Sequence, residues 1–280
     1  MSDRLGRADL HLHTLASDGT AGVVEILEAI EARGDLDVIA ITDHERIDAA
    51  LAGRAIASSL GMRVEVVVGE EVTTLGGHLL ALFIEEPIPS LKPLRWSIRA
   101  VHEQGGLAIP SHPFVPYPLC VQAPVLRRLL RDEDRRVHPD GLETFNPTAL
   151  GRPMHARAVS FAADHGLAPV GGSDAHALEA IGACWTTFPG RTAEDLRRAI
   201  LEGRTHAHGT FHGAGQIATF GRQLRKYGRD ARDGVRGVIR RDGTGRDLGY
   251  PGGRLRPPRF EQPAAAAQPD RGRARTETAE

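Results

Sequence analysis

Short apolar runs alternate with amphipathic stretches along most of this chain, and this alternation constrains its fold more than any other feature. The apolar runs have the length of buried strands, whereas the stretches between them carry apolar residues at helical spacing. The strand-like runs are ADLHLH, DVIAIT, RVEVVVG, HLLALFI, GLAIPS, GLETF, APVGG and ACWTTF. The helix-like stretches are AGVVEILEAIEARG, RIDAALAGRAIASSLG, LRWSIRAVHEQG, APVLRRLLRD, MHARAVSFAADHG and AEDLRRAILEG. Repeated units of this kind predict an α/β fold with a parallel sheet and helices outside it. A closed or nearly closed barrel fits the number of units, and an open doubly wound sheet is the alternative.

The pattern ends near Gly215, which divides the 280 residues into two regions. We assign residues 1–215 to one folded domain. Residues 216–280 contain 15 arginine and lysine residues against 8 acidic ones, are rich in glycine and proline, and offer few apolar anchors. We therefore expect this second region to be a basic, mostly disordered tail, which either binds nucleic acid or another acidic partner or, as we favour, only solubilises the protein.

No apolar segment reaches transmembrane length, and the first residues lack the apolar centre of a secretory signal. Cys120 and Cys184 stand far apart and outside any CxxC spacing, so neither a disulfide framework nor a zinc ribbon is predicted. These features predict a cytoplasmic protein without a membrane partner. The sequence indicates no obligate protein partner.

Histidine and acidic residues occur at the ends of nearly every predicted strand. They are His11, His13, Asp43, His44, Glu45, Glu70, Glu71, His78, His112, Glu143, Asp174 and His176. Asn146 adds an amide at one of these strand ends. Residues two apart on a strand share a face, so His11 and His13 point the same way, and Asp18 follows five residues later. Active sites in barrels and open α/β sheets form at the carboxyl ends of the strands, where these side chains converge. One histidine at a strand end is usually an ordinary hydrogen-bonded residue, but six such strand ends together indicate a metal site. Imidazole and carboxylate without thiolate suit zinc, manganese or iron.

Five motifs in this order resemble those of the PHP family (polymerase and histidinol phosphatase), and most closely those of its small stand-alone phosphoesterases. The motifs are DLHLHTLASDGT, AITDHERIDA, GEEV, PSHP and GGSDAH. The resemblance covers about residues 8–210 and implies a distorted (β/α)7 barrel with three divalent metal ions, manganese, zinc or iron. It implies that the first ion is held by His11, His13, Glu71 and Asp174. The second would be held by Glu71, His78 and His112, and the third by Asp18, His44 and His176. The family pattern also permits Glu70 in place of Glu71 as the bridging ligand.

The resemblance implies hydrolysis of phosphomonoester or phosphodiester bonds by a hydroxide that bridges two of the metal ions. The expected partner is a small phosphorylated substrate, such as a nucleotide 3′,5′-bisphosphate or a short oligonucleotide. We expect catalysis to require His13 and Asp174, with either His176 or water on the third ion as the candidate proton donor to the leaving oxygen. Many relatives have a basic residue after the HP pair of the fifth strand, and this chain has none there. Arg152 is therefore the candidate phosphate contact, and Asn146 is a candidate to orient the substrate or a ligand. An ordinary surface arginine and a simple turn at Asn146 are the alternatives.

Two other functions stay open on the sequence alone. Metal-dependent amidohydrolases and deaminases also begin a barrel with an HxH pair. Their binuclear members commonly use a carboxylated lysine, whereas the two lysines of this chain, Lys92 and Lys226, end no predicted strand. A non-catalytic PHP accessory domain is the second alternative. Such domains tend to lose ligands, and every expected ligand position is filled here.

Overall fold

The computed structural model describes residues 5–117, 119–148 and 151–211. The predicted tail, residues 216–280, lies outside these ranges, so its disorder and the domain boundary remain predictions. The strands are β1 (Gly6–Leu12), β2 (Val38–Ile41), β3 (Glu65–Thr74), β4 (Gly77–Leu82), β5 (Leu107–Pro110), β6 (Gly141–Phe145), β7 (Ala168–Gly171), β8 (Cys184–Phe188) and β9 (His206–Gly209). The helices are α1 (Val23–Arg33), α2 (Asp48–Ser59), α3 (Leu94–Glu103), α4 (Ala123–Leu130), α5 (His155–His165) and α6 (Ala193–Leu201).

The helices begin and end close to the predicted positions because the sequence carries their caps. Gly34 after α1 and Gly166 after α5 adopt left-handed conformations with φ of 64° and 65°. At the start of α6, the Thr192 hydroxyl accepts a hydrogen bond from the backbone N–H of Asp195, and the Asp195 carboxylate accepts one from the backbone N–H of Thr192. No strand was predicted after α6, where the structure has β9, formed by HAHG.

The sheet is only partly parallel, which corrects the sequence-based expectation. Seven strands follow the order β5-β4-β3-β2-β1-β8-β9, and β6 and β7 form a separate pair. β1, β2 and β3 are mutually parallel, as are β6 and β7. β4 is antiparallel to both β3 and β5, and β8 is antiparallel to β1. A two-residue turn at Leu75 and Gly76 joins β3 to β4, too short for the crossover that a parallel neighbour needs.

The β6–β7 pair lies in the gap left by the curled seven-stranded sheet. The backbone N–H of Asp140, before β6, donates to the carbonyl of Ala108 in β5. Ala175, just beyond β7, forms a parallel bridge with Leu12 of β1. The resulting α/β architecture is the predicted distorted barrel.

Two apolar clusters fill the fold on either side of the strands. The outer one joins strand residues such as Ile39 and Ile41 to the helices. The inner one combines Leu10, Val67 and Val170 with α6, which also contacts the beginning of β3 where the Ala193 N–H donates to Glu65. The interior is therefore packed near the amino ends of the parallel strands, and polar side chains are left at their carboxyl ends. No helix in the described ranges is long and apolar enough to span a bilayer.

Candidate metal centre

A β-bulge in β1 turns His11 and His13 toward the inside of the barrel. Asp9 pairs with Ile39 and Leu12 pairs with Ile41, so three steps along β1 match two steps along β2. Because side chains alternate between the faces of a strand, the extra residue reverses the alternation. Leu10 belongs to the inner cluster and Leu12 to the outer one, which leaves His11 and His13 facing inward. Their ring centroids are 5.1 Å apart, so the two histidines share a face as the sequence predicted.

Asp174 joins the histidine pair from the loop after β7. Its Oδ1 lies 3.5 Å from Nε2 of His11 and 3.3 Å from Nε2 of His13. Asp9 ties this loop to β1, because its Oδ1 accepts a hydrogen bond of 2.9 Å from the backbone N–H of Ser173. Asp174 has φ of 51°, a conformation that non-glycine residues adopt rarely and that is often found at functional sites.

Glu71 of β3 is the carboxylate around which the site is arranged. Its Oε1 lies 2.9 Å from Nδ1 of His78 and 2.9 Å from Nε2 of His112. Its Oε2 lies 3.2 Å from Nε2 of His11 and is within 3.4 Å of ring nitrogens of His13 and His44. His78 is the second residue of β4, and because β4 is antiparallel to β3 its first residues lie at the same edge as the last residues of β3.

Asp18, His44 and His176 form the outer part of the site. Oδ2 of Asp18 lies 2.6 Å from Nε2 of His176 and 3.9 Å from Nε2 of His44. Oδ1 of Asp18 lies 3.3 Å from Nδ1 of His13, which connects this part to the inner one. The structure thus brings all nine predicted ligands into one contiguous cluster.

The grouping of these ligands differs in part from the expected one. Three sets have ligand atoms within 4.8 Å of one another: His11, His13 and Asp174; His44, Glu71 and His78; and His13, Asp18, His44 and His176. His13 and His44 each belong to two sets, whereas the resemblance gave His44 only to the third ion. His112 lies in none of these sets, although its Nε2 reaches Glu71.

The donor atoms fit divalent cations. Nε2 of His11 and both ring nitrogens of His13 are buried and make no hydrogen bond within the described residues. Their nearest carboxylate oxygens lie at ion-pair distances of 3.2 to 3.5 Å, and a cation would give these buried nitrogens a bonding partner. Imidazole nitrogens with carboxylate oxygens are the ligand set of zinc, manganese and iron.

Electrostatics in the cluster favour the charged forms of His13 and Glu71 and the neutral form of His44. Burial alone would lower the pKa of His13, but the carboxylates of Asp174 and Glu71 raise it to about 10. Burial would likewise raise the pKa of Glu71, but His78, His11 and His44 hold it well below its usual value. Desolvation and nearby histidines keep the pKa of His44 below its usual value. Without cations the carboxylates are thus balanced by protonated imidazoles, which is the charge that cations would replace.

Glu71, rather than Glu70, faces the cluster. Glu70 points to the other side of β3, where its Oε2 accepts a hydrogen bond of 2.8 Å from the backbone N–H of Ile88. Burial raises the pKa of Glu70 to about 7. The expectation that Glu70 occupies the outward face of the strand agrees with this geometry, although the side chain is fully buried.

Several polar residues support the cluster without having been assigned a role from the sequence. Oε1 of Glu143 lies 2.9 Å from Nδ1 of His11. Ser111 donates a hydrogen bond of 2.9 Å to Oε1 of Glu71. Asp43 accepts hydrogen bonds from Thr14 and from the hydroxyl of Ser17, and so holds the turn that carries Asp18. The position of Glu143 at a strand end was a signal for it, whereas nothing in the sequence distinguishes Ser111.

The two predicted substrate contacts occupy different surroundings. The Asn146 amide donates to Glu143 Oε2 at 3.2 Å and to Asp174 Oδ2 at 3.3 Å, so it contacts carboxylates of the site. Arg152 is exposed, and its guanidinium carbon lies 5.4 Å from the ring centroid of Phe211. Within the described ranges, no ion pair joins Arg152 to the cluster.

Comparisons with known proteins identify relatives of this architecture. A PHP-associated family model matches residues 153–205. An uncharacterised protein of Methanocaldococcus jannaschii is 34% identical over 151 residues, which cover 50% of this chain and 81% of the relative. A 5′-3′ exoribonuclease of Haemophilus influenzae is 30% identical over 105 residues, 36% of this chain and 37% of that protein. A phosphoribosyl 1,2-cyclic phosphate 1,2-diphosphodiesterase of Eggerthella lenta is 35% identical over 92 residues, 31% of this chain and 34% of that protein.

Solved structures share the fold at low sequence identity. A two-domain protein of Bacteroides vulgatus containing a predicted PHP-like metal-dependent phosphoesterase superposes with a TM-score of 0.59 at 20% identity, covering 77% of this chain and 68% of that one. A candidate metal-dependent phosphoesterase of Bifidobacterium adolescentis gives 0.52 at 19% identity, covering 70% and 96%. An amidohydrolase of Chromobacterium violaceum gives 0.52 at 17% identity, covering 71% and 97%. With the family-model match, the archaeal relative and this shared fold, the resemblance read from the motifs is confirmed: the chain belongs to the PHP family.

Proposed function

We propose that this protein is a metal-dependent phosphoesterase that hydrolyses phosphate ester bonds of a small sugar phosphate. The favoured substrates are a nucleotide or a short oligonucleotide. The observation that carries the proposal is the position of Glu71, whose two oxygens are approached by ring nitrogens of five histidines. A carboxylate shared in this way is what a cluster of closely spaced cations requires. When bound, divalent cations would activate water and neutralise the charge that develops on phosphoryl oxygens.

The protein's own residues then have distinct tasks. His11, His13 and Asp174 would hold one cation, and Glu71 with His78 and His112 would hold a neighbouring one. Asp18, His44 and His176 would hold a third at the outer side of the site. Asn146 donates to both Glu143 and Asp174, and we assign it to orienting these carboxylates rather than to the substrate.

His176 cannot serve at once as a ligand and as the proton donor to the leaving group. Its Nδ1 lies 2.9 Å from the backbone carbonyl oxygen of Asp174. Because a carbonyl oxygen can only accept, Nδ1 is the protonated nitrogen and donates this hydrogen bond. Nε2, which contacts Asp18, is then the one ring atom left for either role. We assign Nε2 to the cation, and the leaving oxygen takes its proton from solvent in the site.

The proposed substrate class draws on two further features. The relatives from Haemophilus influenzae and Eggerthella lenta are named for cleaving phosphodiesters attached to ribose, although each match covers about a third of the relative. The exposed guanidinium of Arg152 lies over the ring of Phe211. The Phe211 ring stacks on that of Phe145, with 4.7 Å between the ring centroids, and Phe145 is the sequence neighbour of Asn146. Arginine binds phosphate through a planar fork of donors, and aromatic rings stack on bases. We therefore propose that Arg152 contacts a phosphate of the substrate.

The amidohydrolase alternative has less support from the geometry. Lys92 Nζ lies 5.9 Å from the ring centroid of Trp96 and forms no ion pair with a candidate ligand within the described residues, and Lys226 lies outside those residues. Glu71 occupies the central position that a carboxylated lysine would take in a binuclear amidohydrolase.

The test is a comparison of released products from the full chain reconstituted with manganese or zinc. Nucleoside 3′,5′-bisphosphates, 5′-phosphorylated trinucleotides and ribose phosphates would be assayed for phosphate or nucleotide release, and amide and amino-purine substrates for ammonia. We expect phosphate-ester hydrolysis that is lost in His13→Ala, with ammonia release at background. An Arg152→Met variant should raise KM more than it lowers kcat. Ammonia release would establish the amidohydrolase, and tight cation binding without any hydrolysis would establish the accessory domain.

A further inference from the structure

His112 is a candidate ligand held in a strained backbone conformation. Its φ is 29°, and that of Phe114 two residues later is 70°, both in the region that non-glycine residues seldom adopt. Its backbone N–H donates to Oε2 of Glu143 at 2.6 Å, which fixes the main chain. Nε2 of the ring lies 2.9 Å from Oε1 of Glu71, so the inner nitrogen already faces the cluster.

The other nitrogen of this ring faces a thiol. Nδ1 of His112 lies 3.2 Å from Sγ of Cys120, which is 7% exposed. For Nε2 to offer its lone pair to a cation, the ring proton must be on Nδ1, and Sγ is the acceptor within reach of it. Histidine ligands are generally oriented by a partner on the second nitrogen, most often a carboxylate, a carbonyl or water. In this chain a cysteine takes that place.

Backbone hydrogen bonds hold Cys120 at this position. The N–H of Phe114 donates to the carbonyl of Val121, and the N–H of Cys120 donates to the carbonyl of Tyr117. The N–H of His78 donates to the carbonyl of Leu119, next to the cysteine. The segment that carries Cys120 therefore contacts both histidines that approach Oε1 of Glu71.

We propose that Cys120 is a positioning residue for the cation position formed by Glu71, His78 and His112. Its sulfur accepts the Nδ1–H of His112 and thereby fixes the tautomer that presents Nε2. The proposal rests on the proposed metal dependence of this protein, but it does not require that any particular ester is hydrolysed.

The test uses Mn²⁺ alone as the probe and the full chain after chelator treatment. Mn²⁺ titrations followed by electron paramagnetic resonance would be compared for the wild type, Cys120→Ala, Cys120→Ser and Cys184→Ala. Cys184 is the matched control, because it is also buried and has no hydrogen bond or ion pair with a candidate ligand within the described residues. We expect Cys120→Ala to weaken one class of Mn²⁺ site by about 10- to 100-fold. Cys120→Ser, which keeps an acceptor, should lose less, and Cys184→Ala should bind as the wild type does.

Thermal unfolding with and without Mn²⁺ separates positioning from packing. A positioning role predicts that Cys120→Ala lowers the increase in Tm produced by Mn²⁺ while the Tm in chelator changes as it does in Cys184→Ala. Unchanged Mn²⁺ affinity in Cys120→Ala, or equal losses in both alanine variants, would overturn the proposal. Wild-type protein that binds Mn²⁺ but hydrolyses no phosphate ester would reject the proposed function and leave this comparison intact. Wild-type protein that binds no Mn²⁺ would reject both.

Discussion

Nδ1 of His11 lies 2.9 Å from Oε1 of Glu143, which follows 132 residues later, and both side chains are fully buried. The other oxygen of the same carboxylate accepts the backbone N–H of His112 at 2.6 Å. Glu143 therefore positions two candidate ligands from different parts of the chain, His11 in β1 and His112 just after β5. Carboxylates in this arrangement fix the histidine tautomer and raise the basicity of the nitrogen that faces the cation.

Glu143→Gln should weaken cation binding without unfolding the protein. The amide keeps the size of the side chain, but it removes the negative charge that stabilises the oriented His11 ring. We expect the affinity for Mn²⁺ to fall by about 10- to 100-fold, measured by calorimetric titration. Glu103→Gln, at an exposed position on α3, is the control and should bind as the wild type does. Equal affinities of Glu143→Gln and the wild type would remove this role from Glu143.

The adjacent residues Glu70 and Glu71 provide a matched pair for locating the bridging carboxylate. Glu71 faces five histidines, whereas Glu70 contacts the Ile88 N–H on the other side of β3. Glu71→Gln should lose bound metal in elemental analysis of protein purified without chelator, and Glu70→Gln should retain it. The reverse result would mean that Glu70 is the bridging ligand.

The raised pKa of Glu70 predicts how stability depends on pH in the metal-free protein. Its pKa is raised from 4.5 to about 7 by burial, so the folded state favours the protonated form. Folding is therefore penalised progressively as pH rises from the unfolded value through the folded one, and the penalty is constant above it. The difference in unfolding free energy between Glu70→Gln and the wild type should therefore shift by about 2 kcal/mol in favour of the variant from pH 5 to pH 8. Urea denaturation in chelator at both pH values measures the difference, and parallel pH profiles of the two proteins would contradict it.

Cation binding should release protons. His13 has its pKa raised to about 10 in the cation-free site, so its ring is protonated at neutral pH and must lose that proton to bind a metal. In the metal-free protein the stability due to this protonated ring is present below the unfolded pKa of 6.5 and is lost as pH rises through about 10. The apparent Mn²⁺ affinity should consequently increase with pH between 7 and 9. Calorimetry in buffers of different ionisation enthalpy counts the released protons, and zero released protons would contradict the charge balance described for the cluster.

The sequence predicted the cluster better than the path of the chain that forms it. Strand-end positions singled out eight of the nine candidate ligands, because polar residues at the ends of apolar strands stand out from their surroundings. The ninth, Asp18, and the choice of ligands among the other polar strand-end residues came from the resemblance to the PHP family. The antiparallel direction of β4 was not predicted, since apolar runs of similar composition occur in both kinds of sheet. The bulge in β1 was not predictable either, because Asp9 to Leu12 keep a regular alternation and the extra residue appears only in pairing with β2. Partners such as Ser111 and Cys120 depend on side-chain geometry that no spacing in the sequence records.

Asp174→Asn offers the sharpest separation of fold from chemistry at this site. Asp174 has φ of 51°, and asparagine is among the residues that tolerate this left-handed conformation best, so the loop after β7 should keep its shape. The amide lacks the charge that His11 and His13 face, and a neutral oxygen is a weaker ligand for a divalent cation. We expect Mn²⁺ affinity to fall by more than about 100-fold, beyond the loss at an orienting residue, and phosphate release to fall with it. Circular dichroism and thermal unfolding in chelator should show a folded protein, and Asp164→Asn, exposed on α5, serves as the control. A folded Asp174→Asn protein that binds Mn²⁺ as tightly as the wild type would exclude Asp174 as a ligand and move the first cation away from the bulge in β1.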